Sequence, residues 1–98
     1  MLDRNNPNDP VYQFLAGTFH QDAGMPEEAL KELLSGESIE YRKNAIDFLT
    51  AFLESNHLES EKNDYIRFCA DGVYFPELNM SPIQWLWWIV EQLKESVK

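Results

Sequence analysis

Few residues of this chain have the types and spacing that catalysis or metal binding requires. His20 and Asp22 form a His-x-Asp pair, a pattern too common to indicate a metal site or a catalytic dyad. The other histidine, His57, is distant in sequence and lacks a ligand spacing such as HExxH. The single Cys69 lies in an apolar segment (FCA), which favours a small buried hydrophobe over a reactive thiol. The sequence therefore predicts no catalytic residue, no metal site and no cofactor.

The element that positions the His-x-Asp pair is a short aromatic helix, predicted over residues 10–19. Asp9 offers an N-cap and Pro10 a proline at the first helical position. On a 3.6-residue period its apolar side chains share one arc, namely Val11, Tyr12, Phe14, Leu15 and Phe19. Structural roles are expected at its polar end. His20 would bond a backbone or carboxylate group, and Asp22 would accept amide hydrogens at the start of the next helix.

The stretch from Gly17 to Asp22 (GTFHQD) resembles the N-terminal signature of an immunity protein family from contact-dependent growth inhibition (CDI) systems. Members begin with an aromatic-rich helix that runs into Gly-x-Phe-His-Gln-Asp. They usually have a bulky aromatic residue next, where this chain has Ala23. The resemblance implies a protein that binds and neutralises a toxin domain, the C-terminal part of a large secreted exoprotein from a neighbouring bacterium. Such toxins are commonly nucleases, and we expect a 1:1 complex.

The whole chain, residues 1–98, is predicted to form one all-α domain, a compact bundle of about five main helices. Residues 1–8 are interpreted as a loose polar lead-in. Helices are expected over 26–36, over 39–55 after a Ser38 cap, and over 61–70 after a Ser60 cap. The last helix begins at the Ser81-Pro82 signal. Residues 73–80 read as an ordered apolar loop with one helical turn.

The same periodicity assigns the core faces of these helices. The last helix should bury Leu86, Val90 and Leu93, while Trp88 falls close to its polar side. In the third and fourth helices, Ile39 and Phe68 are expected to face inward.

The net charge of −9 over 98 residues is unevenly distributed. Residues 1–36 and 37–64 each carry −4, whereas residues 65–98 carry −1. Such a surface repels nucleic acid and anionic lipid and attracts basic proteins, and the eight Lys and Arg residues are scattered. No nucleic acid and no membrane is therefore expected as a partner, although ordinary solubility also explains acidity. The polar start (MLDRNNPNDP) and the single cysteine predict a cytoplasmic protein.

A nuclease cleft must attract phosphates and is therefore basic, so an acidic surface can occlude it. Charge alone predicts two acidic groups as toxin-binding residues, and two aromatic residues are candidate anchors. The first group spans the loop and start of helix two, and the second lies where helices three and four meet. The residues are Asp22, Glu27, Glu28 and Glu32; Glu54, Glu59, Glu61 and Asp64; and the anchors Tyr74 and Trp88.

Two other interpretations of the sequence remain open. One is a small acidic regulatory or adaptor domain that binds another basic protein, with self-association through its tryptophan-rich last helix as a variant. The other is an enzyme whose site is assembled only in three dimensions. A large exoprotein gene directly upstream of the encoding gene would favour the immunity protein.

Overall fold

A computed structural model describes residues 8–20 and 25–98 of the chain. Within these ranges five α-helices occur in the order α1 (Pro10–Thr18), α2 (Pro26–Gly36), α3 (Ile39–Leu53), α4 (Glu59–Cys69) and α5 (Pro82–Ser96). A 3-10 helix, Phe75–Leu78, forms the helical turn predicted between α4 and α5. The described part of the chain contains no strand, so the all-α prediction is confirmed. The predicted lead-in lies outside the described residues except for Asn8.

Side-chain caps start three of the helices where the sequence predicts them. The Asp9 carboxylate accepts the Val11 N–H at 3.1 Å, and the Ser38 hydroxyl accepts the Tyr41 N–H at 3.0 Å. Ser81 forms a capping box, in which its hydroxyl accepts the Gln84 N–H and its own N–H donates to the Gln84 side chain. Such caps satisfy amide groups that have no partner within the helix.

The corner between α3 and α4 differs from the prediction at both ends. α3 ends at Leu53, and α4 begins at Glu59 after Leu58, so the predicted Ser60 cap is wrong. The Lys62 backbone N–H donates to the Leu58 carbonyl at 3.0 Å, so Leu58 occupies the cap position. The Lys62 ammonium, on a mostly buried side chain, donates to the Leu53 carbonyl at 2.7 Å. Lys62 thereby closes the C-terminal end of α3 from the first turn of α4.

α5 packs against both α3 and α4, and α1 packs against α2, α3 and α4. Leu86, Val90 and Leu93 are fully buried, which confirms the predicted core face of α5. Two side chains fix the ends of this helix. The Asn63 side-chain oxygen accepts the Ile83 N–H at 3.0 Å, and the Arg42 guanidinium donates to the Ser96 carbonyl at 3.1 Å.

Two predicted inward residues are instead largely exposed, Ile39 at 53% and Phe68 at 42%. Ile39 is the first residue of α3 and lies at the end of that helix, whereas the fully buried residues of α3 begin at Ala45. Phe68 stacks its ring on Tyr12, with centroids 6.0 Å apart, and this contact covers only part of it. Helical periodicity gives the direction of a side chain but does not show how far the neighbouring helices extend.

The end of α1 is joined to the turn after α4. Phe19 is buried and packs edge-on against Trp85, with ring centroids 5.0 Å apart. The Gly72 N–H donates to the Phe19 carbonyl at 2.8 Å. A Cβ atom at Gly72 would lie 2.3 Å from the His20 carbonyl oxygen. Only glycine permits this approach, which fixes where the predicted polar segment leaves the core.

A part-buried hydrogen bond joins the start of α1 to α4. The Tyr65 hydroxyl donates to the Asp9 carboxylate, whose other oxygen caps the helix. Burial of Tyr65, followed by this hydrogen bond, raises the pKa of its hydroxyl far above the ordinary value. The phenol therefore stays protonated in the folded protein and keeps donating.

Candidate binding surface

α2 presents an acidic side to solvent while its apolar residues attach it to the bundle. Glu27, Glu28 and Glu32 are exposed, and we call them the α2 acidic face. The first two lie in the first turn, where the helix dipole favours negative charge. Within the described residues none of the three has a basic group within 4.0 Å. Lys31, the single base of α2, lines a shallow concavity of about 230 Å³ beside Glu27 and Glu28.

A second concavity extends this face toward the end of α1. It encloses about 410 Å³, and its lining includes Gly17, Thr18, His20, Glu32 and Glu37. The sequence analysis did not select Glu37 as a binding residue. Glu37 lies only five residues beyond Glu32 and belongs to the acidic first two thirds of the chain. The pKa of the nearby Tyr41 is raised, first by burial and then by the negative charge of Glu37.

An apolar groove lies on the other side of the α2 start. It encloses about 240 Å³ and is lined by Pro26, Glu27, Leu78, Met80, Trp85, Trp88 and Ile89; we call it the Trp88 groove. Trp85, Trp88 and Ile89 follow an i, i+3, i+4 spacing, which places them on one face of α5. The groove therefore brings together two residues that the sequence selected separately, Glu27 and Trp88. Leu78 and Met80, from the segment around the 3-10 helix, line the groove as well, and the sequence did not mark them as functional.

The two predicted aromatic anchors differ in their surroundings. Trp88 is 37% exposed and forms one wall of the groove, in agreement with its predicted place near the polar side of α5. Tyr74 is 63% exposed, immediately before the 3-10 helix, and does not line the groove. Tyr74 is accessible but has no described pocket around it.

In the second predicted acidic group, Glu54, Glu59, Glu61 and Asp64, one carboxylate has an arginine partner. We call these residues the α3–α4 corner. The Asp64 carboxylate pairs with Arg67 at 2.8 Å, and the Glu61 carboxylate lies 4.0 Å from His57 Nδ1. Glu54 and Glu59 are exposed. None of the described cavities joins this corner to the α2 acidic face. Asp22, the remaining predicted acid, lies outside the described residues.

The described residues offer binding surfaces and no recognisable catalytic grouping. Across 8–20 and 25–98, no group of three or more His, Cys, Asp or Glu side chains is placed to hold a metal ion. Cys69 is buried at 1% exposure, as predicted for a small core residue. No helix in the same ranges is long and apolar enough to cross a bilayer.

Comparison with known families agrees with this geometry. A family model described as CdiI immunity protein matches residues 10–93, from the first residue of α1 into the last turn of α5. No curated protein and no solved structure matches the chain. The matched region contains the Gly17–Asp22 stretch, the α2 acidic face and the Trp88 groove. The chain belongs to the CdiI immunity protein family, as its N-terminal signature predicted.

Proposed function

We propose that this protein binds the cognate CDI toxin domain in the cytoplasm, in a 1:1 complex, and neutralises it without catalysis. Family membership supports an immunity role. The observation that carries the binding mode is the α2 acidic face, whose three carboxylates are exposed and have no basic partner within 4.0 Å in the described residues. When a basic toxin surface approaches, these exposed carboxylates can form new ion pairs without first breaking an ion pair to the described residues.

The toxin surface that this face fits best is the cleft of a nuclease. Such a cleft concentrates Lys and Arg to hold phosphates, so it attracts a protein of net charge −9. Long-range attraction of this kind speeds association and orients the partners before they touch. An immunity protein seated there would exclude the nucleic acid by occupying its binding site. Glu37 extends the same negative region along the concavity that it shares with Glu32.

The α2 acidic face is a better candidate for first contact than the α3–α4 corner. Two of the four corner acids already lie beside Arg67 or His57. A toxin cation at Asp64 would compete with Arg67, which already pairs with this carboxylate. This competition lowers the binding free energy that the new ion pair could contribute. We therefore place the α3–α4 corner at the rim or outside the interface, and the α2 acidic face at its centre.

A pair of charge reversals tests this assignment. The first variant carries Glu27→Lys and Glu28→Lys, and the control carries Glu91→Lys and Glu95→Lys on α5. Each replacement adds two charge units, so both variants change the net charge from −9 to −5. All four glutamates are exposed, and the control pair already lies near Lys94 and Lys98. Folding should persist in both.

The readout is association kinetics with the purified toxin domain encoded by the neighbouring gene, measured across salt concentrations. We expect the α2 variant to associate about tenfold more slowly or worse at low salt, and to show a weaker salt dependence, because steering acts mainly on the association rate. The control should change much less. Cells that express the toxin should survive with the control variant and lose protection with the α2 variant.

Each alternative outcome has a distinct meaning. Equal loss in both variants would show that the field of the whole protein matters and that α2 is not special. Unchanged binding in both would reject an electrostatic mechanism. A wild-type protein that does not bind the toxin at all would reject the proposed function. A complex in which the toxin still binds an oligonucleotide would reject occlusion of the cleft while leaving binding intact.

A further inference from the structure

We propose that the Trp88 groove receives one apolar side chain of the toxin, and that a basic residue of the same toxin segment pairs with Glu27 at the groove edge. The inference rests on the proposed function and names the chemistry of the toxin segment. Two observations support this composite site: an exposed tryptophan, and a carboxylate with no basic group within 4.0 Å among residues 8–20 and 25–98.

The lining of the groove determines the first half of this assignment. Trp85 and Ile89 form buried walls, Trp88 forms a partly exposed wall, and Leu78 and Met80 are half-buried. The enclosed volume of about 240 Å³ is below the range of roughly 300–1,000 Å³ that is usual for small-molecule pockets. A groove of this size and polarity suits a single large apolar side chain inserted from another protein.

The charge at the edge determines the second half. Among the described residues that line the groove, Glu27 is the only charged one, and no basic group of the described residues lies within 4.0 Å of it. Glu28 lies beside it in the first turn of α2. An apolar residue in the groove therefore brings the adjoining backbone of its own chain close to the Glu27 carboxylate. A Lys or Arg next to that residue can pair with Glu27, whereas an acidic neighbour is repelled.

The same charge argues against a second copy of this chain as the occupant. Two copies would bring together surfaces that each carry a net charge of −9, and like charges oppose association. A basic toxin domain meets no such barrier. A toxin side chain in the groove would also complete the burial of the Trp88 ring, and tryptophans that become fully buried in an interface are common among the residues that dominate affinity.

Tyr74 provides the matched comparison for Trp88. Both are large aromatic residues with exposed surface, but Tyr74 is outside the groove. We expect Trp88→Ala to weaken toxin binding about 30-fold or more, mainly through faster dissociation. Tyr74→Ala should change affinity less than about threefold, as most interface or surface residues do. Trp88→Phe keeps an apolar wall and should retain most of the affinity. Thermal melts of each variant separate loss of fold from loss of contact.

A spectroscopic measurement tests the site without removing Trp88. The protein is produced with 5-fluorotryptophan, and Trp88→Phe identifies which of the three tryptophan signals belongs to Trp88. In the free protein that ¹⁹F signal should shift between H₂O and D₂O because the ring is exposed. On addition of unlabelled toxin domain, the solvent-dependent shift should disappear.

The outcomes separate the two proposals. If the toxin binds with undiminished affinity while the Trp88 signal keeps its solvent shift, the groove assignment is wrong and the proposed function stands. If Trp88→Ala and Tyr74→Ala weaken binding equally, the groove has no special part and the assignment is again wrong. A Trp88 signal that changes with protein concentration in the absence of toxin would assign the groove to self-association. No interaction between the toxin and the wild-type protein would overturn both proposals.

Discussion

The turn after α4 provides a sharp test of how the fold positions the candidate surface, through the substitution Gly72→Ala. The added Cβ would lie 2.3 Å from the His20 carbonyl oxygen and 2.7 Å from the Phe19 carbonyl oxygen. Both contacts involve backbone atoms, so no side-chain rotation relieves them. Ordinary van der Waals contact begins at 3.4 Å, and one of the two segments must therefore move by about an ångström.

The loss of stability has two sources: crowding of the packed backbone, and disruption of the hydrogen bond between the two segments. Forcing extra volume into a packed site costs about 1–3 kcal/mol. The shift also disrupts the 2.8 Å hydrogen bond from the Gly72 N–H to the Phe19 carbonyl, worth about 0.5–1.5 kcal/mol. We therefore expect Gly72→Ala to lower the free energy of unfolding by about 2–4 kcal/mol. In a domain of this size each kcal/mol lowers the melting temperature by roughly 4–8 °C.

The chain supplies a matched control, because Gly17→Ala makes the same chemical change in open space. No heavy atom lies within 4 Å of a Cβ built at Gly17, which is helical. Alanine there should stabilise the protein by about 0.4–1 kcal/mol, since it reduces the entropy of the unfolded chain. Urea unfolding of both variants, followed by circular dichroism, measures the difference. If Gly72→Ala unfolds within about 0.5 kcal/mol of the wild-type protein, the described approach of the α1 end to this turn is wrong.

Two further stability predictions follow from the core. Leu86→Ala, at a fully buried site, should destabilise the protein by about 2–5 kcal/mol. Leu58→Ala, at a residue that is 66% exposed, should cost much less. Similar urea midpoints for the two variants would contradict the assigned core face of α5. Because the pKa of Tyr65 is raised in the folded state, its contribution to stability is fully present below pH about 10 and is lost as the pH rises above it. Tyr65→Phe should therefore destabilise at neutral pH, by about 1.5–3 kcal/mol for a hydrogen bond to a charged group. It should also flatten the alkaline fall in stability; an unchanged alkaline slope would show that the hydroxyl is not held protonated by the fold.

Local signals in the sequence were enough to predict the helices and several of their starting points. Asp9, Ser38 and Ser81 accept hydrogen bonds from amides within three residues along the chain, so their roles depend on local geometry alone. The core face of α5 was predictable for a similar reason, because a sustained 3.6-residue period leaves one side of a long helix apolar. The Gly17–Asp22 stretch indicated the family, which the match over residues 10–93 shows.

Contacts between segments distant in the sequence determined the remaining features of the fold and of the candidate site, because local patterns carry no information about them. The Lys62 ammonium bonds to the Leu53 carbonyl at the end of α3, a contact between two helices that no local pattern contains. Gly72 admits the backbone of Phe19 and His20, an approach between segments about fifty residues apart in the chain. The Trp88 groove exists because α2, α5 and the segment around the 3-10 helix meet. Sequence alone identified Glu27 and Trp88 by charge and size; only the packing of distant segments made them neighbours.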